Sequence, residues 1–271
     1  MTKQDLNCGT TTRARAGSEA DTPLAIDLAG IFARHERVFL GFSGGKESVA
    51  LADLVLPWAA RVTLVWLNTG VTLPHMPAFV RRYGERFTLV EVTTPNVAQS
   101  WRDFGIPTDT LPLRNAHGGR WPKMQLWHGC CLRVRNLPLF ACLSQFPGSL
   151  LLLGQRLQDK AFLDVQALKT LLPDGVEVAF PLWDWTESDV FRYIEQHGLE
   201  LPHQYANDLK SSGDCAVCHA SELTAAKLSY LDRFLPEIAA IVRQNAAGVL
   251  LEAQTALDET ATLLGLPVRR P

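Results

Sequence analysis

The chain has 271 residues, of which 47% are hydrophobic and 20% are charged, and its formal net charge is −2. This length and composition suffice for one sizeable core, and the charge gives no general reason to expect nucleic acid as a partner. No apolar run is long enough to span a bilayer, and residues 1–21 lack the apolar segment of a signal peptide, so we expect a cytoplasmic protein with no membrane partner.

Strand and helix patterns alternate along the chain after a polar start. Residues 1–22 are rich in Thr, Ser, Gly and charge, and we expect a mobile tail there. Apolar residues at helical spacing predict a helix over Leu24–His35, and the apolar run Val38–Phe42 predicts a strand that leads through a turn into a helix over Ser48–Leu56. Similar patterns predict strands at Val62–Leu67, Thr88–Val92, Leu150–Leu153 and Val176–Phe180, and helices at Met76–Phe87 and, capped by Thr186, up to Gln196.

This alternation predicts an α/β fold, with a mostly parallel sheet and helices on both of its faces. Residues 94–129 contain several Pro and Gly residues and three Trp residues, which predicts a long connection of functional importance. The Ala- and Leu-rich sequence from Ser221 to Leu264 predicts two or three C-terminal helices. We therefore expect a main α/β domain over residues 23–220 and a small C-terminal helical region over residues 221–266.

A phosphate-binding loop is predicted between the first strand and the helix that follows it. Its glycines allow the backbone to approach a ligand closely, and the N-terminus of the next helix favours an anion. The loop also carries a lysine and two hydroxyl groups, but its spacing is not that of a Walker A loop. An ordinary glycine-rich turn is the alternative. The loop consists of Ser43, Gly44, Gly45, Lys46, Glu47 and Ser48.

This loop resembles the S-G-G-x-D-S loop of the PP-loop ATP pyrophosphatases, which cleave ATP between its α- and β-phosphates. Glu47 stands where that family usually has Asp, so the carboxylate is kept but its reach changes. The resemblance implies that the loop binds ATP with Mg²⁺, and that Ser43 and Lys46 take part in catalysis.

Three further segments, in matching order, resemble the phosphoadenosine phosphosulfate (PAPS) reductase branch of the same superfamily. Residues 68–70 resemble its D-T-G segment, residues 154–159 its G-x-R-x-x-[ED] segment and residues 181–190 its P-[IL]-x-x-W-[ST]-x-x-D-[VI] segment. The resemblance implies a Rossmann-like sheet of the adenine nucleotide alpha-hydrolase type. It also implies that the nucleotide is bound by Asn68, Thr69, Gly70, Gly154 and Arg156.

Arg156 follows an apolar strand, where a guanidinium is suited to clamp a phosphate or sulfate by two parallel hydrogen bonds. Its spacing alone favours a surface arginine paired with Asp159. The family pattern instead implies a catalytic role at the nucleotide.

Four cysteines form the pattern C-C…C-x-x-C, and clustered thiols in a reducing compartment more often bind metal or react than form disulfides. Thiolates bind both iron–sulfur clusters and zinc, but adjacent cysteines are awkward for zinc. The pattern resembles that of the adenylyl-sulfate reductases, which implies a [4Fe-4S] cluster. Zinc is the alternative metal, and four unrelated thiols are the alternative without a metal. The predicted ligands are Cys130, Cys131, Cys215 and Cys218.

Two enzymatic functions and one non-catalytic function remain. In the first, the chain cleaves ATP to AMP and pyrophosphate, adenylylates an acceptor, and a sulfur donor then displaces AMP; Lys46 favours this function. In the second, it reduces phosphoadenylyl sulfate or adenylyl sulfate with a thiol from elsewhere, because no cysteine follows Cys218. In the third, it is a nucleotide- and cluster-binding subunit of a larger complex.

The acceptor is not identified by the sequence. A small-molecule nucleotide is the expected partner, together with a sulfur donor or a thiol reductant protein. A nucleic-acid acceptor would need the charges of the long connection, which are equally typical of a solvated surface: Arg102, Arg114, Arg120 and Lys123. Cys142 lies in an apolar stretch and is expected to be a small core residue, whereas Cys8 lies in the polar tail without a positioning partner.

Overall fold

The fold is taken from a computed structural model, which describes residues 27–108, 124–159, 171–220 and 223–267. Its strands are β1 (Val38–Gly41), β2 (Val62–Asn68), β3 (Thr88–Thr93), β4 (Ile106–Thr108), β5 (Met124–Leu126), β6 (Leu150–Leu152) and β7 (Glu177–Ala179). Five of them form a sheet in the order β3-β2-β1-β6-β7, in which every neighbouring pair is parallel. The other two, β4 and β5, form a separate parallel pair.

The helices lie between these strands and after them. They are α1 (Leu28–Arg34), α2 (Lys46–Leu54), α3 (Met76–Arg82), α4 (Val97–Phe104), α5 (Trp127–Cys131), α6 (Leu137–Leu143), α7 (Glu187–Gln196), α8 (Ala225–Phe234) and α9 (Pro236–Leu263). A five-residue π-helical segment, Leu132–Asn136, joins α5 to α6, and a 3₁₀ turn, His203–Asn207, follows α7. None of the helices in the described ranges is long and apolar enough to cross a membrane.

Both faces of the sheet are buried, as the sequence predicts for α/β architecture. Leu40 of β1 points into a core that contains side chains of α1, α2 and α3. Its neighbour Phe39 points to the opposite face, where it packs with Leu139 and Leu143 of α6. Because successive residues of a strand alternate between faces, continuous apolar runs such as β6 serve both cores.

The order of the strands places two loops side by side. In β1, Val38 pairs with Val62 of β2 on one side and with Leu150 of β6 on the other. The chain thus adds β2 and β3 on one side of β1, and later adds β6 and β7 on the other side. Ligands of open parallel sheets bind outside the carboxyl ends of the strands at such a switch point. The loops after Gly41 and after Leu152 therefore meet at the expected site.

The long connection predicted over residues 94–129 contains regular structure where it is described. Asn96 caps α4 by accepting a hydrogen bond from the Gln99 amide, and Val97 and Trp101, four residues apart, bury the inner face of that helix. No helix or strand was predicted for this segment, because its proline and glycine content outweighed a short amphipathic pattern. Residues 109–123 lie outside the described residues.

The predicted cap at Thr186 is confirmed. The Thr186 hydroxyl accepts a hydrogen bond from the Asp189 amide, and the Asp189 carboxylate accepts one from the Thr186 amide. These two reciprocal bonds form a capping box. They fix the start of α7, and therefore the position of Glu187 in its first turn.

Two C-terminal helices, α8 and α9, follow the sheet, within the predicted range of two or three. Pro236 begins α9, whereas Gly248 lies inside it without ending it. Tyr230 and Leu231 of α8 belong to the same core as the sheet and α2. The predicted tail, residues 1–22, lies outside the described residues.

Candidate active site

The predicted phosphate loop joins β1 to α2 at the carboxyl edge of the sheet. Gly44 has a backbone φ of +73°, and a Cβ placed on it would lie 2.7 Å from the Cε of Met76. Glycine is therefore required here on two grounds, its left-handed backbone and the lack of space. The helix begins at Lys46 rather than at the predicted Ser48, so Lys46 and Glu47 lie in its first turn.

Hydroxyl groups hold the loop in shape. The Gly45 amide donates to Ser43 Oγ at 3.2 Å, and Ser48 Oγ donates to the Gly45 carbonyl at 2.9 Å. At the start of α2, the Lys46 amide donates to the hydroxyl of Tyr205 at 3.0 Å. Burial holds the pKa of the Tyr205 phenol well above its ordinary value. The hydroxyl therefore keeps its proton at neutral pH and can donate a hydrogen bond to a phosphate oxygen.

The two cations predicted to contact phosphate belong to one buried ion network. Lys46 Nζ lies 2.9 Å from a carboxylate oxygen of Glu47 and 3.4 Å from one of Glu187. Arg156 Nη2 lies 3.2 Å from the same Glu47 oxygen and 2.6 Å from Asp159. Glu47 thus bridges the lysine and the arginine, and the carboxylates balance the charge that the cleft would otherwise carry.

Arg156 is buried, contrary to the surface location that its spacing alone favours. Only 6% of the residue is exposed, although the expected pairing with Asp159 is present. Within the described residues, its buried Nε and Nη1 have no hydrogen-bond partner. A buried donor without a partner is costly, and an anionic oxygen would relieve that cost. Gly154, Gln155 and Asp159 of the same segment line the cleft beside the loop, but Arg156 itself does not. Gly154, just before it, lies so close to α2 that a Cβ would be 2.9 Å from the Cβ of Glu47.

A cleft of about 560 Å³ opens beside the loop, a size typical of small-molecule sites. Its polar side is formed by the phosphate loop, the residues after β6 and the segment before Cys215. Its apolar side is formed by strand residues and by α6. The lining includes Ser43, Gly45, Lys46, Glu47, Ser48 and Gly154 on the polar side, and Leu67, Leu139, Phe140 and Leu153 on the apolar side.

Residues 68–70, which resemble the D-T-G segment and are predicted to bind the nucleotide, do not line this cleft. Asn68 donates to Glu91 at 2.7 Å and accepts a hydrogen bond from the Gly70 amide at 2.9 Å, so it stabilises its own turn. Thr69 donates to the Asp214 carbonyl at 2.5 Å and lines a second, smaller cavity. Leu67 lines the nucleotide-sized cleft instead. The role of these three residues in nucleotide binding stays a prediction.

The second cavity, about 30 Å³ in volume, brings together all four cysteines of the C-C…C-x-x-C pattern. Cys130 and Cys131 end α5, whereas Cys215 and Cys218 belong to the turn that precedes α8. Trp101 Nε1 donates to Cys130 Sγ at 3.3 Å. Burial raises the pKa of the Cys130 thiol, and the tryptophan hydrogen bond lowers it in part.

The cysteines fit a thiolate-bound metal in their chemistry and location. Four soft sulfur donors surround a largely apolar space, which suits an iron–sulfur cluster or zinc. Across the described part of the chain, however, no three His, Cys, Asp or Glu side chains converge in a metal-binding arrangement. The assignment of the four cysteines as ligands therefore stays a proposal.

The two cavities share a wall. Trp127, Cys131 and Arg135 line both of them, so Cys131 is the thiol that faces the nucleotide-sized cleft as well as the other cysteines. Arg135 forms an ion pair with buried Asp214 at 2.8 Å, across the boundary between the cavities. Any group held by the cysteines would lie next to a ligand in the cleft.

Sequence reasoning missed several residues of the cleft. Tyr205, Lys210 and Ser212 reach it from the segment between α7 and the C-x-x-C turn, and Glu187 reaches Lys46 from α7. A polar, glycine-containing run, Lys210–Asp214, directly before a cysteine motif was the available signal.

The remaining predicted residues lie apart from both cavities or are not described. Cys142 is half-buried on α6 rather than fully buried in the core, and burial raises the pKa of its thiol. Arg102 hydrogen-bonds Gln99 on α4. Cys8, Arg114, Arg120 and Lys123 lie outside the described residues.

A parallel sheet with this strand order, and a serine–glycine–glycine loop after its first strand, define an adenine nucleotide alpha-hydrolase-like protein. The family model of the phosphoadenosine phosphosulfate reductase domain matches residues 37–220. The chain therefore belongs to this family, the PAPS reductase branch of the PP-loop nucleotide-binding proteins.

Two solved structures are similar to the chain. Phosphoadenylyl-sulfate reductase from Candida auris, a phosphate complex, is 16% identical with a TM-score of 0.47, covering 68% of this chain and 84% of that chain. A predicted subunit of tRNA methyltransferase from Methanocaldococcus jannaschii is 16% identical with a TM-score of 0.37, covering 59% and 74%. No curated protein matches the chain.

Proposed function

We propose that the chain is an enzyme that cleaves ATP to AMP and pyrophosphate, transfers AMP to an acceptor oxygen and prepares that acceptor for sulfur transfer. The observation that carries this proposal is the common wall of the two cavities. A cleft bordered by the phosphate loop adjoins a four-cysteine cavity, and Cys131 lines both. A nucleotide and a sulfur-handling group would thus be neighbours.

The chemistry follows from the groups at the loop. The acceptor oxygen attacks the α-phosphorus, the bond between that phosphorus and the bridging oxygen of the β-phosphate breaks, and pyrophosphate leaves. Charge grows on the leaving group, so preorganised donors there accelerate the step. Lys46, the Ser43 hydroxyl and the Arg156 guanidinium are the donors proposed to act there, and Ser48 with the loop amides would hold the phosphates.

Two metal cofactors belong to this proposal. Mg²⁺ would accompany ATP. Glu47 and Asp159, two of the carboxylates that line the cleft, would hold it, whereas Asp214 pairs with Arg135. The four cysteines would hold a [4Fe-4S] cluster, with zinc as the alternative, and the cluster would supply a site at which sulfur is bound or relayed. Iron, zinc and sulfide analysis of anaerobically purified protein tests this part, and a metal-free, colourless protein would contradict it.

The reaction is tested by pyrophosphate release from ATP·Mg²⁺. Arg156→Lys keeps the charge but loses the fork of donors, so we expect turnover to fall about 100-fold, as for loss of a transition-state donor. Arg243→Lys is the matched control, because Arg243 pairs with Asp232 on the exposed side of α8 and α9. Equal turnover of the Arg156 variant and wild type would contradict the assigned role.

Reduction of a sulfonucleotide is the second candidate, favoured by the family description itself. Sulfite release from adenylyl sulfate or phosphoadenylyl sulfate, with an added dithiol as reductant, measures it. Sulfite without pyrophosphate would replace the proposed function by this one. Tight ATP binding with neither product would support the nucleotide-binding subunit of a larger complex.

A further inference from the structure

A buried lysine on α8 contacts the turn that carries Cys215 and Cys218. Lys227 is only 3% exposed, and its Nζ donates to the Cys218 carbonyl at 2.8 Å and to the Cys215 carbonyl at 3.3 Å. The side chain comes from the third position of α8, where the Lys227 amide donates to the capping hydroxyl of Thr224 at 3.1 Å. One residue thus joins the start of α8 to both ends of the C-x-x-C turn.

This location is unfavourable for a lysine unless its contacts are specific. An ammonium is costly to bury unless it is hydrogen-bonded, and the positive end of the helix dipole disfavours a cation in the first turn. The two cysteine carbonyls provide acceptors for it. The Cys215 carbonyl also accepts a hydrogen bond from the Cys218 amide at 3.0 Å, which closes the turn. The Lys227 ammonium therefore adds two hydrogen bonds to a turn that already has one of its own.

The other end of this segment is anchored independently. The Ala216 amide donates to the Val71 carbonyl at 2.8 Å, and Thr69 donates to the Asp214 carbonyl. These bonds tie the beginning of the turn to the segment after β2. At the other end of the turn, Lys227 of α8 donates its hydrogen bond to the Cys218 carbonyl.

We propose that Lys227 is the positioning residue of the four-cysteine site, which orients the Cys215 and Cys218 thiols toward Cys130 and Cys131. The proposal rests on the four-thiol site of the proposed function. Removal of a group that orients metal ligands typically weakens metal affinity 10–100-fold. Lys227 would act through the backbone of two ligands without touching the metal.

Titration of the metal-free protein with Co²⁺ under anaerobic conditions tests this role. Thiolate-to-cobalt absorption reports the number of sulfur ligands, and its titration gives the affinity. We expect Lys227→Met to weaken Co²⁺ binding about 10–100-fold and to reduce the thiolate absorption, and Lys227→Arg to recover most of both. Arg233→Met, an exposed position on the same helix, is the matched control and should resemble wild type. ATP affinity of each variant serves as the test of folding.

A second probe separates this proposal from the metal site itself. Phenylarsine oxide binds two thiols that lie close together, without any metal. Loss of stoichiometric arsenical binding in Lys227→Met, but not in Arg233→Met, would support the positioning role even if the wild type bound no metal. Absence of metal binding by the wild type would refute only the metal site. Unchanged Co²⁺ affinity, or unchanged arsenical binding where no metal binds, would overturn the role of Lys227.

Discussion

At the scale of single residues, Gly44 shows how closely the loop is built against α3. Its φ of +73° belongs to the left-handed region, and the side chains of Met76, Phe79 and Val80 occupy the space where a Cβ would point. A left-handed conformation costs other residues about 1–2 kcal/mol. The packing beneath the loop, rather than the ligand alone, therefore demands glycine.

Gly44→Ala should lower the free energy of unfolding by about 1–2 kcal/mol. It should also weaken ATP binding by about tenfold or more, since 1.4 kcal/mol of loop distortion corresponds to a factor of ten. Urea unfolding and ATP titration measure the two effects. Gly248→Ala is the control, because Gly248 lies in α9 with open space around it. This variant should raise the free energy of unfolding by about 0.5–1 kcal/mol. ATP binding of the Gly44 variant at wild-type affinity would contradict the assigned loop geometry.

The ion network is a second feature at this scale. Lys46 and Arg156 are both buried, and Glu47, Asp159 and Glu187 surround them. Neither cation is held as an isolated charge, which would be costly in the interior. A bound phosphate would have to share these cations with the carboxylates, so a metal ion that attracts the carboxylates is consistent with the proposed ATP·Mg²⁺ substrate.

At the scale of elements, the start of α7 links a local signal to the site. Thr186 and Asp189 form the capping box, and Glu187 between them reaches Lys46. The hydrogen bond from the Thr186 hydroxyl to the carboxylate is the main cause of the lowered pKa of Asp189. The position of Lys46 thus depends in part on a helix cap more than a hundred residues away in sequence.

Thr186→Ala should lower the free energy of unfolding by about 1 kcal/mol at neutral pH. The folded pKa of Asp189 lies below its unfolded value of about 3.9, so the carboxylate stabilises the fold above that pH and loses this contribution as the pH falls through the folded pKa. The difference between variant and wild type should therefore shrink in acid. Urea unfolding at pH 7 and at pH 3 measures it, and a difference that grows in acid would contradict the cap assignment.

At the scale of the whole molecule, one continuous segment connects the two cavities. Tyr205 contacts the first amide of α2, Ser212 lies beside Gly45, and the chain then runs through Asp214 to Cys215. Gln204, fully buried, donates to the Ser211 and Ser212 carbonyls and fixes this segment over the loop. The cleft beside the phosphate loop and the cysteine turn are therefore held by the same segment of backbone.

ATP should protect Cys131 from alkylation in the metal-free protein, because Cys131 lines the cleft. With ATP at ten times its dissociation constant, the rate of iodoacetamide modification should fall about tenfold, since only the free fraction reacts. Peptide mass spectrometry measures the rate at each cysteine. Cys142 is the internal control, because it is half-buried on α6 and lines neither cavity. Equal protection of both cysteines would indicate a general tightening of the fold instead.

Local patterns were sufficient for much of the architecture. Short apolar runs located the five strands of the main sheet within a residue or two. The central strands β1, β2 and β6 are buried on both faces, which leaves a continuous apolar signature, whereas the edge strands β3 and β7 are only partly buried. The cap at Thr186 was equally readable. The short strands β4 and β5 were not, because Ile106 and Met124 pack with Val249, which is far away in sequence.

The sequence by itself determined the fold class, and it located the predicted phosphate loop and the four cysteines, since each depends on residue types at fixed short spacings. Only the tertiary structure decided which groups meet: Glu47 between Lys46 and Arg156, the Tyr205 hydroxyl on the first amide of α2, and Lys227 on the cysteine turn. The strand order brings the ends of β1 and β6 together, and buried charges find partners wherever packing places them. Neither the strand order nor those pairings has a short-range signature in the chain.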